Sequence, residues 1–376
     1  MKKVLVVDDS ALMRKHLRDV LEGEGDFTAR TARNGVEALA ELETFDPDVI
    51  TLDINMPEMD GITCLSRIMV QRPKPVVMVS SLTEAGAEIT LQALSLGAVD
   101  VVRKPEGTIS LSIDRIHREL ILKVRAAASA RLRRVTGLKG RLETERARIT
   151  GRASAGSSPV FAALPAGQFG LVLVGVSTGG PGTLEEILPL LPVDFPWAVL
   201  VAQHMPGAFT GVFARRLNDL CPMRVVETDR QMPIQAGTIH IAKGDADLMV
   251  LRRAAGLVAA TVPASPEHLW HPSVTRLVAS ALAAVPAERL IGVQLTGMGD
   301  DGAEAMAEMA RRGGRTIAQD AATSVIFGMP NELIRRGGAT VVAPADRVAA
   351  QLIAWLAPGA ATGPNREDRY ATRKIR

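Results

Sequence analysis

Short runs of uninterrupted apolar, mostly β-branched residues recur along this chain, each followed by an amphipathic stretch. The runs are Val4–Val7, Val49–Leu52, Val76–Val79 and Val99–Val102, with a weaker one at Thr28–Thr31, and helix-like stretches such as Leu12–Leu21 and Val36–Leu42 lie between them. A strand that is apolar at every position has no face to offer water. It belongs in a parallel sheet covered by helices on both sides. The rhythm breaks and then resumes at Leu171–Val176, Ala198–Ala202, Thr238–Ala242 and Leu290–Thr296, ending in pieces near Thr316–Ala318 and Ala339–Val342. Leu248–Val262 departs from it, since two β-rich runs around Gly256 predict an antiparallel hairpin. The expected fold class is α/β, with two doubly wound, mainly parallel-sheet domains.

The break between the two sets is compositional. Residues 125–167 are rich in Arg, Ala, Gly and Ser, which predicts a linker, helical in its first half. Ten basic and two acidic residues lie between Lys123 and Arg152, and five basic and two acidic residues follow Pro358. The formal charge of the whole chain is only +3, so both folded regions are acidic and the basic pI belongs to a linker and a tail. That is poor support for a nucleic-acid-binding domain. Two cysteines, Cys64 and Cys221, lie far apart and form no metal-ligand spacing, and no disulfide framework is expected. The apolar run after Lys2 and Lys3 stops within four residues at two acids, too soon for a signal peptide. No stretch reaches the length of a membrane span. A cytoplasmic location is expected.

In an open α/β sheet, functional groups collect at the carboxyl ends of strands. Asp8 and Asp9 end the first run, Asp53 the third and Ser80 the fourth, while Lys104 follows the fifth. Three converging carboxylates repel one another and call for a cation, and hard oxygen ligands favour Mg²⁺. A phosphoryl group there would meet the metal, the Lys104 ammonium and the Ser80 hydroxyl, with Asp53 placed as its acceptor. Singly, such residues are usually solvated loop starts or helix caps. Five of them in order, each closing an apolar run, are far more specific.

A second constellation begins at Gly175-Val-Ser177-Thr178-Gly179-Gly180-Pro-Gly182, between a buried strand and a predicted helix. It lacks the endings of a phosphate cradle and of a dinucleotide loop, and it fits a Gly-x-Ser-x-Gly nucleophile turn. A nucleophilic serine needs a base, and the base needs an orienting acid. His204 closes the next apolar run, and Asp300 and Asp301 follow a later one. His240, His268 and His271 are rival bases, though none of them ends an apolar strand. One of the two aspartates is expected to be an ordinary helix cap.

Val-Leu-Val-Val-Asp8-Asp9-Ser, Leu-Asp53-Ile-Asn-Met-Pro-Glu-Met-Asp-Gly and Val-Val-Arg-Lys104-Pro105 resemble the receiver domain of bacterial response regulators, which is flavodoxin-like. That resemblance implies Mg²⁺-dependent phosphorylation of Asp53 by a histidine kinase, with Ser80 and Lys104 as switch residues. Gly-Val-Ser177-Thr-Gly-Gly-Pro, Ala-Gln-His204-Met-Pro, Leu-Thr-Gly-Met-Gly-Asp300-Asp301-Gly-Ala and Ala-Gln-Asp-Ala-Ala-Thr-Ser-Val-Ile-Phe-Gly-Met-Pro resemble the catalytic domain of the chemotaxis protein-glutamate methylesterases, the CheB family. The resemblance implies four segments: a receiver over 1–122, a basic linker over 123–167, a catalytic domain over 168–358 and a disordered tail over 359–376. It implies Ser177 as nucleophile, His204 as base and then acid, and Asp301 as the orienting acid. The backbone N–H groups of Thr178 and Met298 are the candidates for an oxyanion hole.

The implied activity is a phosphorylation-activated esterase. It hydrolyses glutamate methyl esters on methyl-accepting chemoreceptors, releasing methanol, and deamidates certain receptor glutamines. No cofactor is implied for the ester chemistry. Two segments depart from the family's usual wording, His240-Ile-Ala-Lys243-Gly-Asp-Ala-Asp247 and His271-Pro-Ser-Val-Thr275-Arg276, which bear on substrate grip rather than on the triad. The alternative is a response regulator whose second half only binds a partner or DNA, favoured by the basic linker alone. No helix-turn-helix or zinc spacing accompanies those charges.

Overall fold

The structure, a computed structural model, describes residues 1–80, 84–104, 111–130 and 169–357, with backbone alone at 84, 85 and 111–116. The first unit alternates strands β1 (Lys2–Val7), β2 (Phe27–Ala32), β3 (Val49–Asp53), β4 (Val76–Ser80) and β5 (Asp100–Arg103) with helices α1 (Ala11–Gly23), α2 (Gly35–Thr44), α3 (Gly61–Gln71), α4 (Glu84–Ser95) and α5 (Leu111–Ala127). Its sheet runs in the order β2-β1-β3-β4-β5, all parallel. Helix starts are set locally. Ser10, Asn34 and Asp60 each accept a hydrogen bond from the backbone three residues on, which caps α1, α2 and α3.

The second unit holds a seven-stranded parallel sheet and a three-stranded antiparallel one. Its strands are β6 (Leu171–Val176), β7 (Ala198–Gln203), β8 (Arg224–Thr228), β9 (Met232–Pro233), β10 (Thr238–Ala242), β11 (Ala246–Arg253), β12 (Gly256–Pro263), β13 (Leu290–Gln294), β14 (Arg315–Gln319) and β15 (Val341–Ala343). The helices are α6 (Gly180–Ile187), α7 (Gly207–Leu220), α8 (Val274–Ala284), α9 (Ala303–Arg311), α10 (Met329–Arg335) and α11 (Ala345–Leu356). The large sheet runs β15-β14-β13-β6-β7-β10-β8, so β6 lies between β13 and β7. The small sheet is β11-β12-β9, and it contains the expected hairpin, with Arg253 opposite Gly256.

The apolar runs are continuous because each strand feeds two cores. Val172, Val174 and Val176 of β6 enter one hydrophobic layer, and Leu171 and Leu173 enter the layer on the opposite face. The first of these layers continues into the receiver-like unit, joining Leu91 and Leu94 of α4 to Leu184, Ile187 and Phe213. Each leucine fully buried in such a layer stabilises the contact by about 1.5–3 kcal/mol. The two units are therefore packed together through α4, α6 and α7. Polar contacts border that packing: Arg216 pairs with Glu185, and both reach Ser95 of α4.

Helix α5 runs past the expected start of the linker at residue 123, continuing to Ala127, and Lys123 is buried in the first unit. Its ammonium pairs with Asp100 and Glu119, two carboxylates that keep a buried cation charged and raise its pKa above the ordinary lysine value despite burial. One of the ten linker charges is thus a core ion-pair member. Most of the expected linker and all of the expected tail lie outside the described residues. Among the described residues, no helix is long and apolar enough to cross a membrane.

Candidate active site and receiver site

Ser177 follows β6, His204 follows β7 and Asp301 follows β13, three adjacent strands of one sheet. Backbone pairing continues past the strands and fixes these ends together. His204 N–H donates to the Val176 carbonyl and Ser177 N–H to the Thr296 carbonyl, each at 3.0 Å. Gln203 Nε2 donates to the carbonyls of Ser177 and His204, both at 3.0 Å, locking the two loops to each other. Gly179 caps α6 with φ of 78°, a conformation that only glycine adopts without strain, so the turn after Ser177 is tight. A Cβ on Gly297 would sit 2.7 Å from Ser177 Cβ, so the 296–299 loop can lie directly on the serine only because it is glycine.

His204 Nε2 lies 2.9 Å from Asp301 Oδ2, with the His204 side chain buried and that of Asp301 nearly so. Asp301 also accepts from Val274 N–H (2.7 Å), Thr275 N–H (3.0 Å), Thr275 Oγ1 (2.6 Å) and Ser273 Oγ (3.2 Å). These donors form the amino end of α8, where unpaired N–H groups and the helix dipole favour an anion. Burial alone would raise the Asp301 pKa. The hydrogen bonds and charge from His204, and the bonds from Thr275, outweigh it and hold the carboxyl well below the usual range. An ionised acid here fixes the proton of His204 on Nε2 and leaves Nδ1 as the acceptor. Nδ1 is buried without a partner, and no hydrogen bond joins it to Ser177 Oγ. Such catalytic contacts commonly close only with substrate in place.

Neither Thr178 N–H nor Met298 N–H is used in a hydrogen bond among the described residues. Asp300 is exposed and pairs with Arg336 at 3.2 Å, so of the two aspartates it stays outside the site. The rival histidines are elsewhere. His240 is buried within β10, hydrogen-bonded through Nδ1 to Thr228, and burial pushes its pKa down to about 4. His271 bonds Asp247 through Nδ1 at 2.9 Å. His268 lies in the same loop, its N–H held by the Ser265 carbonyl.

Sequence reasoning missed three supports: Ser273 and Thr275 at the α8 start, Gln203 between the loops, and Trp270, whose ring stacks on His204. A signal existed for the first, because Ser273 precedes an amphipathic stretch as a cap would. No local pattern marks the other two. The departures noted around residues 240–247 and 271–276 also converge. Asp247 accepts from His271, Arg276 and the backbone N–H groups of Ser265 and Ser273. They form one cluster around the buried Asp247 that pins the loop ahead of α8.

In the first unit, Asp8, Asp9 and Asp53 bring carboxylate oxygens within 4.8 Å of one another. Lys104 Nζ lies 2.9 Å from Asp8 and 2.9 Å from Asp53. Burial raises the Asp53 pKa in spite of that ammonium, and a further cation at these oxygens would favour the ionised carboxylate. An all-oxygen donor set suits Mg²⁺. Ser80 closes β4 and accepts a hydrogen bond from Thr90. All five expected receiver residues therefore gather at one sheet edge.

Next to the candidate nucleophile the two units touch. Thr178 Oγ1 donates to Asp100 Oδ2 at 2.5 Å, and Gly179 N–H donates to the Val99 carbonyl at 3.1 Å. Ser177 and Thr178 are both buried in this arrangement.

Two family models match the chain: the response regulator receiver domain over residues 4–113 and CheB methylesterase over residues 172–352. The chain is 66% identical to protein-glutamate methylesterase/protein-glutamine glutaminase 3 of Rhodospirillum rubrum, covering 95% of this chain and 96% of that one. It is 50% identical to protein-glutamate methylesterase/protein-glutamine glutaminase 2 of Rhodopseudomonas palustris, over 94% of this chain and 98% of that one. The crystal structure of the Thermotoga maritima CheB methylesterase catalytic domain is 34% identical, covers 50% of this chain and 98% of its own, and gives a TM-score of 0.48. The chain belongs to the protein-glutamate methylesterase/protein-glutamine glutaminase family, with a response regulator receiver domain ahead of a CheB methylesterase domain.

Proposed function

We propose that this chain hydrolyses glutamate methyl esters on methyl-accepting chemoreceptors in the cytoplasm, and deamidates particular receptor glutamines, under control of phosphorylation at Asp53. The observation that carries the reading is the 2.9 Å His204–Asp301 contact beside Ser177, on three adjacent strand ends. Ser177 Oγ attacks the γ-carbonyl while Nδ1 of His204 takes its proton. The tetrahedral oxyanion is met by the N–H groups of Thr178 and Met298. Nδ1 returns the proton to the methoxy oxygen, methanol leaves, and water attacks the acyl-serine by the same proton route to give glutamate. A glutamine substrate loses ammonia in place of methanol.

Asp8, Asp9 and Asp53 would hold Mg²⁺, which would supply the positive charge that phosphorylation by a chemotaxis histidine kinase requires. Ser80 and Lys104 are poised to bond the phosphoryl oxygens. The basic segment and the tail have no role in this reading, and no nucleic acid is involved. The functional division follows the two sheets, with the receiver ending after α5 rather than at residue 122. The test is methanol release from membranes carrying methylated receptors, with and without a small-molecule phosphodonor and Mg²⁺. Release stimulated by both together is expected, and release indifferent to them would refute the regulatory half.

Asp100 sits where the two halves meet. A hydrogen bond to a charged group contributes about 1.5–3 kcal/mol. Loss of the Thr178–Asp100 bond should therefore shift the unphosphorylated enzyme towards its released form. Thr178→Val removes the donor and leaves Asp100 paired with the buried Lys123. It is expected to raise basal methanol release by roughly tenfold and to shrink the phosphodonor increment. A basal rate unchanged in this variant would remove the contact from the inhibitory interface.

A further inference from the structure

Trp270 precedes α8 on the loop pinned by Asp247. Its indole lies over the His204 imidazole with ring centroids 5.6 Å apart and planes 11° from parallel. Its Nε1 is 3.6 Å from where a Cβ on Gly299 would stand, so the indole fills the space between the base and the 297–300 loop. Nothing in the ester chemistry described above uses this side chain. The loop holding it is nonetheless heavily fixed: Asp247 is fully buried and gathers His271, Arg276 and two backbone N–H groups that bracket residues 265–273.

The stack matters because of what His204 becomes. On taking the Ser177 proton it is an imidazolium, buried, with one carboxylate at Nε2. An aromatic face within about 6 Å of a cation attracts it through the ring quadrupole, more strongly when water is excluded. We propose that Trp270 is a positioning residue for the reaction, whose indole face stabilises the imidazolium formed at His204 in the transition state and holds the ring in register with Ser177. The inference rests on the reading of His204 as the base.

Among the described residues, Asp301, from the β13–α9 turn, is the one charged group in hydrogen-bond contact with His204. Around the loop carrying Trp270 lie His271 and Arg276, each paired with Asp247 of β11. The β6–α6 turn brings the hydroxyls of Ser177 and Thr178, with Asp100 of the receiver behind Thr178. The indole therefore supplies the cation-attracting face that the imidazolium meets.

The test replaces Trp270 in the full chain with mono-, di- and trifluorotryptophan, which keep the ring's shape and progressively empty its face of electron density. Methanol release is measured across pH with phosphodonor present. The plateau kcat is expected to fall in step with fluorine number, reaching roughly 3- to 30-fold, while the acidic limb of the profile moves to lower pH. The limb moves because a poorer cation partner makes the base harder to protonate. Trp270→Phe should keep more activity than Trp270→Ala. A flat fluorine series would overturn the proposal, as would a rise in KM with kcat and the acidic limb unchanged, which would make Trp270 a substrate contact. His204→Gln run alongside separates the two levels: its inactivity upholds the base assignment whatever the fluorine series shows, and its retained activity would remove both.

Discussion

Asp301→Asn should lower kcat by about 10⁴-fold while leaving substrate binding nearly unchanged. The carboxylate accepts five hydrogen bonds, from His204, Val274, Ser273 and two groups of Thr275, and donates none. An asparagine side chain has one oxygen and one NH₂, so wherever the amide points, a donor faces a donor. If the NH₂ turns to His204, Nε2 becomes an acceptor and the proton moves to Nδ1, the nitrogen that must be free to accept from Ser177. If it turns to α8 instead, it meets the N–H groups at the helix start. Either arrangement leaves donors unsatisfied, Val274 N–H in the first and those of Ser273 and Thr275 in the second, at about 1–3 kcal/mol each. Steady-state kinetics and a melting curve on the same preparation distinguish a tautomer defect from a folding defect. A kcat within tenfold of wild type would take Asp301 out of the role assigned to it.

Asp53→Asn is expected to abolish phosphodonor stimulation and leave basal methanol release intact. The acceptor carboxylate is lost, while the interface at Thr178 and Gly179 lies at β5 and is untouched. The Lys104 ammonium keeps Asp8 as a partner at 2.9 Å, so no cation is stranded. One penalty also disappears, because burial raises the Asp53 pKa and a neutral amide carries no such cost. The variant should therefore be no less stable than wild type. Stimulation that survives would mean that the phosphoryl group goes to another acceptor, or that the donor acts elsewhere.

The parts of this molecule that were legible in sequence are those governed by local pattern. Fully apolar strands announce a doubly covered parallel sheet, and residues closing such strands share an edge, which is why Ser177, His204 and the Asp300–Asp301 pair could be grouped across more than a hundred positions, while the choice of Asp301 within that pair rested on the family resemblance. The hairpin around Gly256 was legible for the same reason. Strand β8, Arg224–Thr228, was not, since an edge strand with Arg224 and Glu227 lacks the apolar signature. Lys123 looked like one more linker charge, because its burial depends on Asp100 and Glu119 and only one of these is a helical neighbour. Trp270 against His204 and Thr178 against Asp100 are contacts between segments distant in sequence, and no spacing rule encodes them. The departures at residues 247, 271 and 276 were visible one by one. Their meaning, a single ion-pair cluster under the active-site loop, required the fold.

The central claim is that Ser177 performs the chemistry, and the most direct test is methanol release from methylated receptor membranes by Ser177→Ala in the presence of phosphodonor and Mg²⁺. Removing one hydroxyl from a buried turn leaves the strand ends, Gln203 and the His204–Asp301 pair in place. A loss of about 10³-fold or more in kcat, with the variant folded and still phosphorylated, is the predicted result. A Ser177→Ala enzyme that releases methanol at a rate within tenfold of wild type would contradict the account.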